Sequence, residues 1–230
     1  MVRATFSHDL RQLQDQILQL GSMVDRAIEQ SVVALREQNT SLARQVDKGD
    51  EAINAARWEI EQTTINLIAT QAPMARDLRQ IMASVHVATN LERMGDHARG
   101  IAKLTLRTAD EPLLKPLIDI PRMATLGREM LHDSLEAFVE QNAQLAMKIA
   151  LRDEQVDDHY EQIYRELLTF MIADPSTVPK ATHLLWVAHN LERIADRVTN
   201  ICERTIFSVT GQFEEVNDKD FGAALEDLAQ

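Results

Sequence analysis

Apolar side chains recur along this chain with a helical period. Val87, Leu91, Met94, Ala98 and Ile101 follow one another at steps of four, three, four and three, which puts them on one helix face. Val46, Ile53, Ile60 and Leu67 keep a seven-residue step, as do Ile149, Val156 and Ile163. Such steps are the seams of antiparallel helix packing. Proline marks the joints, because it removes a helical donor and turns the residue before it away from helix. Pro73 interrupts IATQAPMARDL, Pro112, Pro116 and Pro121 fall in ADEPLLKPLIDIPR, and Pro175 and Pro179 bracket ADPSTVPK. Polar N-cap signals at Asn39 and near Gln141-Asn142 add two breaks, and Gly211 stops the last helix. The pattern predicts six helices over about 7–38, 41–71, 74–107, 121–142, 144–173 and 178–209.

The chain repeats itself. NLERMGDH at 90–97 returns as NLERIADR at 190–197, and residues 87–101 match 187–201 at eight of fifteen positions without a gap. The likeness runs backwards: VDKGDEAIN at 46–54 resembles IALRDEQVDD at 149–158, and LGSMV at 20–24 echoes LGREML at 126–131. Two copies of a three-helix unit account for this. The predicted fold is all-α: a first three-helix bundle over 1–108, a Pro-rich linker over 109–121, a second bundle over 122–211 and an acidic tail over 212–230. That tail holds six acids and one lysine.

Composition narrows the function classes. Hydrophobic residues make up 45% of the 230, enough for such a core, and aromatics only 4%. A formal net charge of −12 argues against nucleic acid as a partner and suits cation binding or solubility. Cys202 is the only cysteine, so no intrachain disulfide forms, and its place on an apolar helix face makes it a buried thiol. No secretory apolar region follows MVRATFSHDL and no apolar run approaches ~18 residues. The expectation is a soluble, cytoplasmic protein.

The repeated letters carry the candidate chemistry. Glu92 and Asp96 are four apart, as are Glu192 and Asp196, so each pair shares one helix face. Like charges at that spacing repel, and a hard cation reverses the penalty; carboxylate oxygens suit Mg²⁺, Mn²⁺, Ca²⁺ or iron. On the helical wheel Leu91, Met94, Gly95 and Ala98 face the core, so Glu92 and Asp96 lie on a shallow outer site. Asp153 and Asp157 repeat the spacing on the fifth helix, at the flank of its seam. Their first-half counterparts are Asp50 and Asn54, where asparagine keeps an oxygen but loses a charge. Taken singly, such a pair is more often a solvated face than a ligand set.

Other residues are read more plainly. Arg93 and Arg193 are surface arginines or partners of these acids, and Asn90 and Asn190 are candidate interhelical hydrogen-bonders. His189, three residues before Glu192, is a weaker candidate ligand, and His97 reads as a surface residue. Gly95 and Ala195 allow close helix approach. Trp58, Trp186 and Phe170 read as core or interface anchors. The chain has no Gly-rich phosphate loop, GxSxG or HExxH. A single Glu-x-x-His, Glu129 to His132, falls short of the two that a ferritin-like di-iron oxidase requires. That enzyme and a purely structural helical protein are the alternatives to a protein that binds metal without turnover.

The doubled motif resembles the PhoU family of phosphate-uptake regulators. The resemblance rests on ATNLERMGDHARGIAK at 88–103, AHNLERIADRVTNICERTIFSVTG at 188–211 and RDLRQI at 76–81, and covers roughly 7–211. It implies a pseudo-symmetric helical protein, commonly a homodimer and not an enzyme. It also implies surface clusters of iron, manganese, magnesium or zinc on Glu92, Asp96, Glu192, Asp196, Asp153, Asp157, Asp50 and the variant Asn54. The implied role is negative regulation of phosphate-starvation signalling and phosphate uptake. The implied partners are the ATPase subunit of the phosphate ABC transporter and a membrane sensor histidine kinase. Ala195 and Arg197 depart from the family's usual GDH around the second aspartate.

Overall fold

The computed structural model describes residues 2–212; the acidic tail beyond Gln212 lies outside them. Among the described residues the chain is all-helical: α1 (Val2–Arg36), α2 (Thr40–Gln71), α3 (Arg76–Thr108), α4 (Asp119–Glu140), α5 (Ala143–Ala150), α6 (Asp153–Ala173) and α7 (Val178–Thr210), with a 3-10 turn at Pro175–Thr177. The predicted joints are where the helices end. Asn39 caps α2 by accepting from Leu42 N at 3.0 Å, and Asn142 caps α5 by accepting from Leu145 N at 3.0 Å. Gly211 ends α7 in the left-handed region at φ 79°. Pro121 and Pro179 lie inside the first turns of α4 and α7, where a missing N–H costs nothing.

The fifth predicted helix, 144–173, is broken at Leu151-Arg152 into α5 and α6. Arg152 reaches back to α4, donating to Asp133 Oδ2 at 2.5 Å and Glu129 Oε2 at 3.3 Å. Its own N–H tightens to Ile149 O, and Asp153 and Glu154 open the next helix, where acids favour the positive end of the dipole. The seam survives the break, since Ile149, Val156 and Ile163 are all buried. The six predicted rods are therefore present, the fifth of them kinked.

α3 and α7 form the centre and run antiparallel. His97 meets Asn190, and Gly211 at the far end of α7 lies against Arg79 near the start of α3. Leu91, Met94 and Ala98 of α3 and Leu191, Ile194, Ala195 and Val198 of α7 belong to a single core that spans both repeats. Close approach depends on two glycines. A Cβ on Gly95 would meet Ile53 Cδ1 of α2 at 3.1 Å, and one on Gly21 of α1 would run into Leu135 Cδ1 of α4. Arg128 of α4 ties the same α1–α4 contact by pairing with Asp25 at 2.7 Å and Glu29 at 3.1 Å.

Several single-residue readings change. Trp58 and Trp186 are 57% and 61% exposed, so neither is a core anchor. Arg57 lies over the Trp58 ring, 4.6 Å from its centroid. His97 is not a surface residue: it is partly buried, with Nδ1 3.0 Å from Asn190 Oδ1. Burial lowers its pKa. Cys202 is fully buried and its thiol is pushed up by that burial.

Candidate functional site

The helical wheel turns Glu92 and Asp96 away from the seam onto a shallow outer face; the structure sets these acids and their counterparts Glu192 and Asp196 at the edge of the neighbouring helix instead. Glu92, Glu192 and Asp196 are half-buried and Asp96 is exposed, while the adjacent Leu91, Met94, Leu191 and Ile194 are buried. α2 lies against α3, and α6 against α7. Each acidic pair of the LER motifs consequently faces the acids of the preceding helix.

In the carboxy-terminal half, Asp153 and Asp157 of α6 face Glu192 and Asp196 of α7. Burial raises the pKa of Asp153 to about 6, and the charges of Asp157, Asp196 and Glu192 push it the same way. Burial also raises Asp157, with Glu192 and Asp196 adding to the effect. The Thr199 hydroxyl beside Asp153 favours the ionised form. Even so, neither Asp153 Oδ1 nor Thr199 Oγ1 completes a hydrogen bond, although both are buried. A buried carboxylate oxygen without a partner is costly. Arg193 supplies local neutralisation: Nε and Nη2 pair with the two Glu192 oxygens at 2.9 Å each, and Nη1 with Asp196 Oδ2 at 2.9 Å. His189 Nδ1 adds a contact to Glu192 Oε2 at 3.1 Å.

The amino-terminal half is built differently. Arg99 crosses from α3 to α2, donating from Nε to Asp47 Oδ1 at 2.7 Å and from Nη1 to Asp50 Oδ2 at 2.9 Å. Asn54 Nδ2 donates to the same Asp50 oxygen at 3.1 Å. The Asp50 side chain is only 5% exposed. Burial raises its pKa while Arg99 opposes the rise and Asp96 reinforces it. Burial also raises Glu92, with Asp96 adding to it. Arg93 is exposed.

Neither cluster brings three acid oxygens within 4.8 Å of one another. The group of three ligand atoms that does converge among the described residues is His132, Asp133 and Glu136 on α4. Two of its members are exposed, and Asp133 is already engaged by Arg152. Sequence reasoning noticed His132 only as the end of a Glu-x-x-His. It missed Arg99, Asp47 and Thr199 altogether. The repeat did carry a signal for two of them, because Arg99 aligns with Thr199 at the offset of 100 that superposes the LER motifs.

The donor set of the carboxy-terminal cluster fits a hard cation: oxygen ligands only, excess negative charge and one buried oxygen unpaired. The amino-terminal cluster fits less well, since a guanidinium and an amide already hold its most buried carboxylate.

Known proteins share this sequence pattern and helical framework. The PhoU domain model matches residues 17–105 and 120–205. The chain is 41% identical over 219 residues to a phosphate-specific transport system accessory protein PhoU homolog of Clostridium acetobutylicum, covering 95% of this chain and 100% of that one. It is 32% identical over 211 residues to the PhoU accessory protein of Escherichia coli, covering 92% and 88%. The crystal structure of PhoU from Pseudomonas aeruginosa superposes with a TM-score of 0.85 at 29% identity, over 90% of this chain and 100% of that one. The PhoU regulatory protein of Streptococcus pneumoniae gives 0.84 at 33%, over 91% and 99%. With both repeats matched and the helical framework shared end to end, the chain belongs to the PhoU family.

Proposed function

We propose that this protein is a regulatory accessory factor of phosphate-specific transport. It restrains phosphate-starvation signalling and phosphate uptake when phosphate is plentiful. It acts on the cytoplasmic face of the membrane as a homodimer, linking the ATPase subunit of the phosphate ABC transporter to a sensor histidine kinase. A divalent or iron cation held by Asp153, Asp157, Glu192 and Asp196 completes the α6–α7 surface, and the chain catalyses no reaction of its own. The observation that carries the reading is the family match over both repeats, which contain Asp50, Glu92, Asp96, Asp153, Asp157, Glu192 and Asp196. Among the described residues no helix is long and apolar enough to cross a membrane, in keeping with a factor that docks on membrane partners. The exposed indoles Trp58 and Trp186 are suited to such docking, as aromatic side chains supply much of the energy at protein interfaces.

The test is a strain lacking the gene and carrying a starvation-responsive reporter. In phosphate-rich medium the reporter should be on in that strain, off with the wild-type gene restored, and on again with Asp153→Asn, Asp157→Asn, Glu192→Gln and Asp196→Asn combined. Purified protein should retain the ATPase subunit or the cytoplasmic part of the kinase on a column. A silent reporter in the deletion strain, or retention of neither partner with or without Mn²⁺, would sink the reading.

A further inference from the structure

The two halves repeat the same acids but not the same surroundings, and the difference bears on where a cation can sit. In α2 and α3, Arg99 bridges Asp47 and Asp50 across the helix interface. The Asn54 amide turns its nitrogen toward Asp50, so its oxygen is not offered to the point where Asp50 oxygens gather. At the equivalent places of the second half stand Thr199 instead of Arg99 and Asp157 instead of Asn54. One turn beyond each motif aspartate, Gly100 offers no side-chain ligand where Asn200 carries an amide. All three differences subtract ligands or add positive charge in the first half.

We infer that Arg99 is a built-in cation that closes the amino-terminal cluster to metal, so that the metal capacity of the chain resides in the carboxy-terminal cluster alone. The inference rests on the metal-binding part of the function proposed above. An ion entering beside Asp50 would displace or adjoin a guanidinium held by two aspartates of another helix, at 2.7 and 2.9 Å. A divalent ion doubles the repulsion that such a neighbour exerts. Arg193 is not an equivalent lock. The Arg193 and Arg99 side chains are similarly exposed, at 43% and 36%, but the partners of Arg193, Glu192 and Asp196, lie on its own helix, so it can swing into solvent when an ion arrives without unpinning two helices. Neither Asp153 nor Asp157 makes an ion pair among the described residues, so the α6 side of that cluster stays open.

The test measures Mn²⁺ bound at equilibrium to the full chain after chelation and dialysis. Four proteins are compared: wild type, Asp153→Asn with Asp196→Asn, Arg99→Thr, and Thr199→Arg. Circular dichroism checks that each is helical. The wild type should bind Mn²⁺, and both the double variant and Thr199→Arg should lose it. Arg99→Thr should bind about twice the wild-type amount if each cluster takes the same number of ions. Mn²⁺ retained by the double variant at about half the wild-type level overturns the inference and leaves metal binding intact. Wild type that binds none overturns both. A helical Arg99→Thr with no added Mn²⁺ overturns the role given to Arg99. Should that variant fail to fold, the wild type and double variant decide the matter by themselves.

Discussion

In the amino-terminal half, a guanidinium from α3 reaches two aspartates of α2. In the carboxy-terminal half the same position is Thr199, and two aspartates of α6 confront two acids of α7 with no ion pair across the interface. The LER motifs that define the repeat are nearly identical, so the divergence lies one helical turn away from them. Duplication preserved Glu and Asp of the LER motifs in both copies, while Arg99 against Thr199, Asn54 against Asp157 and Gly100 against Asn200 set their surroundings apart. In one half a guanidinium crosses the interface to neutralise two aspartates of the neighbouring helix; in the other, Arg193 neutralises only acids of its own helix, and Asp153 and Asp157 have no ion-pair partner among the described residues.

The largest contrast should appear in metal affinity. Asp153→Asn with Asp196→Asn removes two of four charged ligands and should weaken Mn²⁺ binding more than about 100-fold, beyond the loss expected from second-shell partners alone. Glu92→Gln with Asp96→Asn should leave the measured affinity unchanged. Calorimetric titration reads both, and equal losses would erase the distinction between the halves.

Stability should show the reverse contrast. Arg99→Ala strands the buried Asp50 beside Asp96 and should cost about 2 kcal/mol, below the range for fully enclosed pairs because Arg99 is itself partly exposed. Arg193→Ala removes a partly exposed pair on one helix and should cost less than about 1 kcal/mol. Urea unfolding of the chelated proteins makes the comparison.

The pH dependence sharpens it further. Asp153, raised to about 6, keeps a proton in the folded protein that the unfolded chain has already released. Between the ordinary carboxylate range and about pH 6 the folded state therefore binds more protons, and stability falls as pH rises. Asp47 behaves oppositely: Arg99 holds it below the usual range, so its contribution is present at neutral pH and lost on acidification. Thermal melts of chelated protein should become flatter toward pH 6 in Asp153→Asn, and the acid-side loss should shrink in Asp47→Asn. An unchanged slope in Asp153→Asn would show that this carboxyl ionises normally.

The smallest effects concern the indoles. Trp186→Ala should shift stability by no more than about 0.5 kcal/mol, as expected for an exposed side chain. Trp58→Ala should cost slightly more, by the ~0.5–1 kcal/mol of its contact with Arg57. Urea midpoints that fall by several times these amounts would mean the indoles are buried.

The six rods and their joints were legible because each is a local signal: apolar steps of three and four, a proline, or an asparagine cap. The break at Leu151-Arg152 was not, because it is set by Arg152 meeting Asp133 and Glu129 on a different helix. The same divide runs through the site. Acid pairs four apart on one helix follow from periodicity, and the shallow position of Glu92 and Asp96 follows from the wheel. The hold of Arg99 on Asp47 and Asp50 spans 52 and 49 residues and depends on how α2 and α3 are registered. Of the two roles that size alone leaves open for Trp58 and Trp186, core or interface anchor, exposure removes the first, because both indoles fall off the buried stripe.

The most direct test of the account is an anomalous-scattering map from crystals of the full chain soaked in Mn²⁺. It should show density between α6 and α7, bounded by Asp153, Asp157, Glu192 and Asp196, and none beside Asp50, where Arg99 remains in place. Peaks of equal height at both clusters, or a peak beside Asp50 alone, would contradict it.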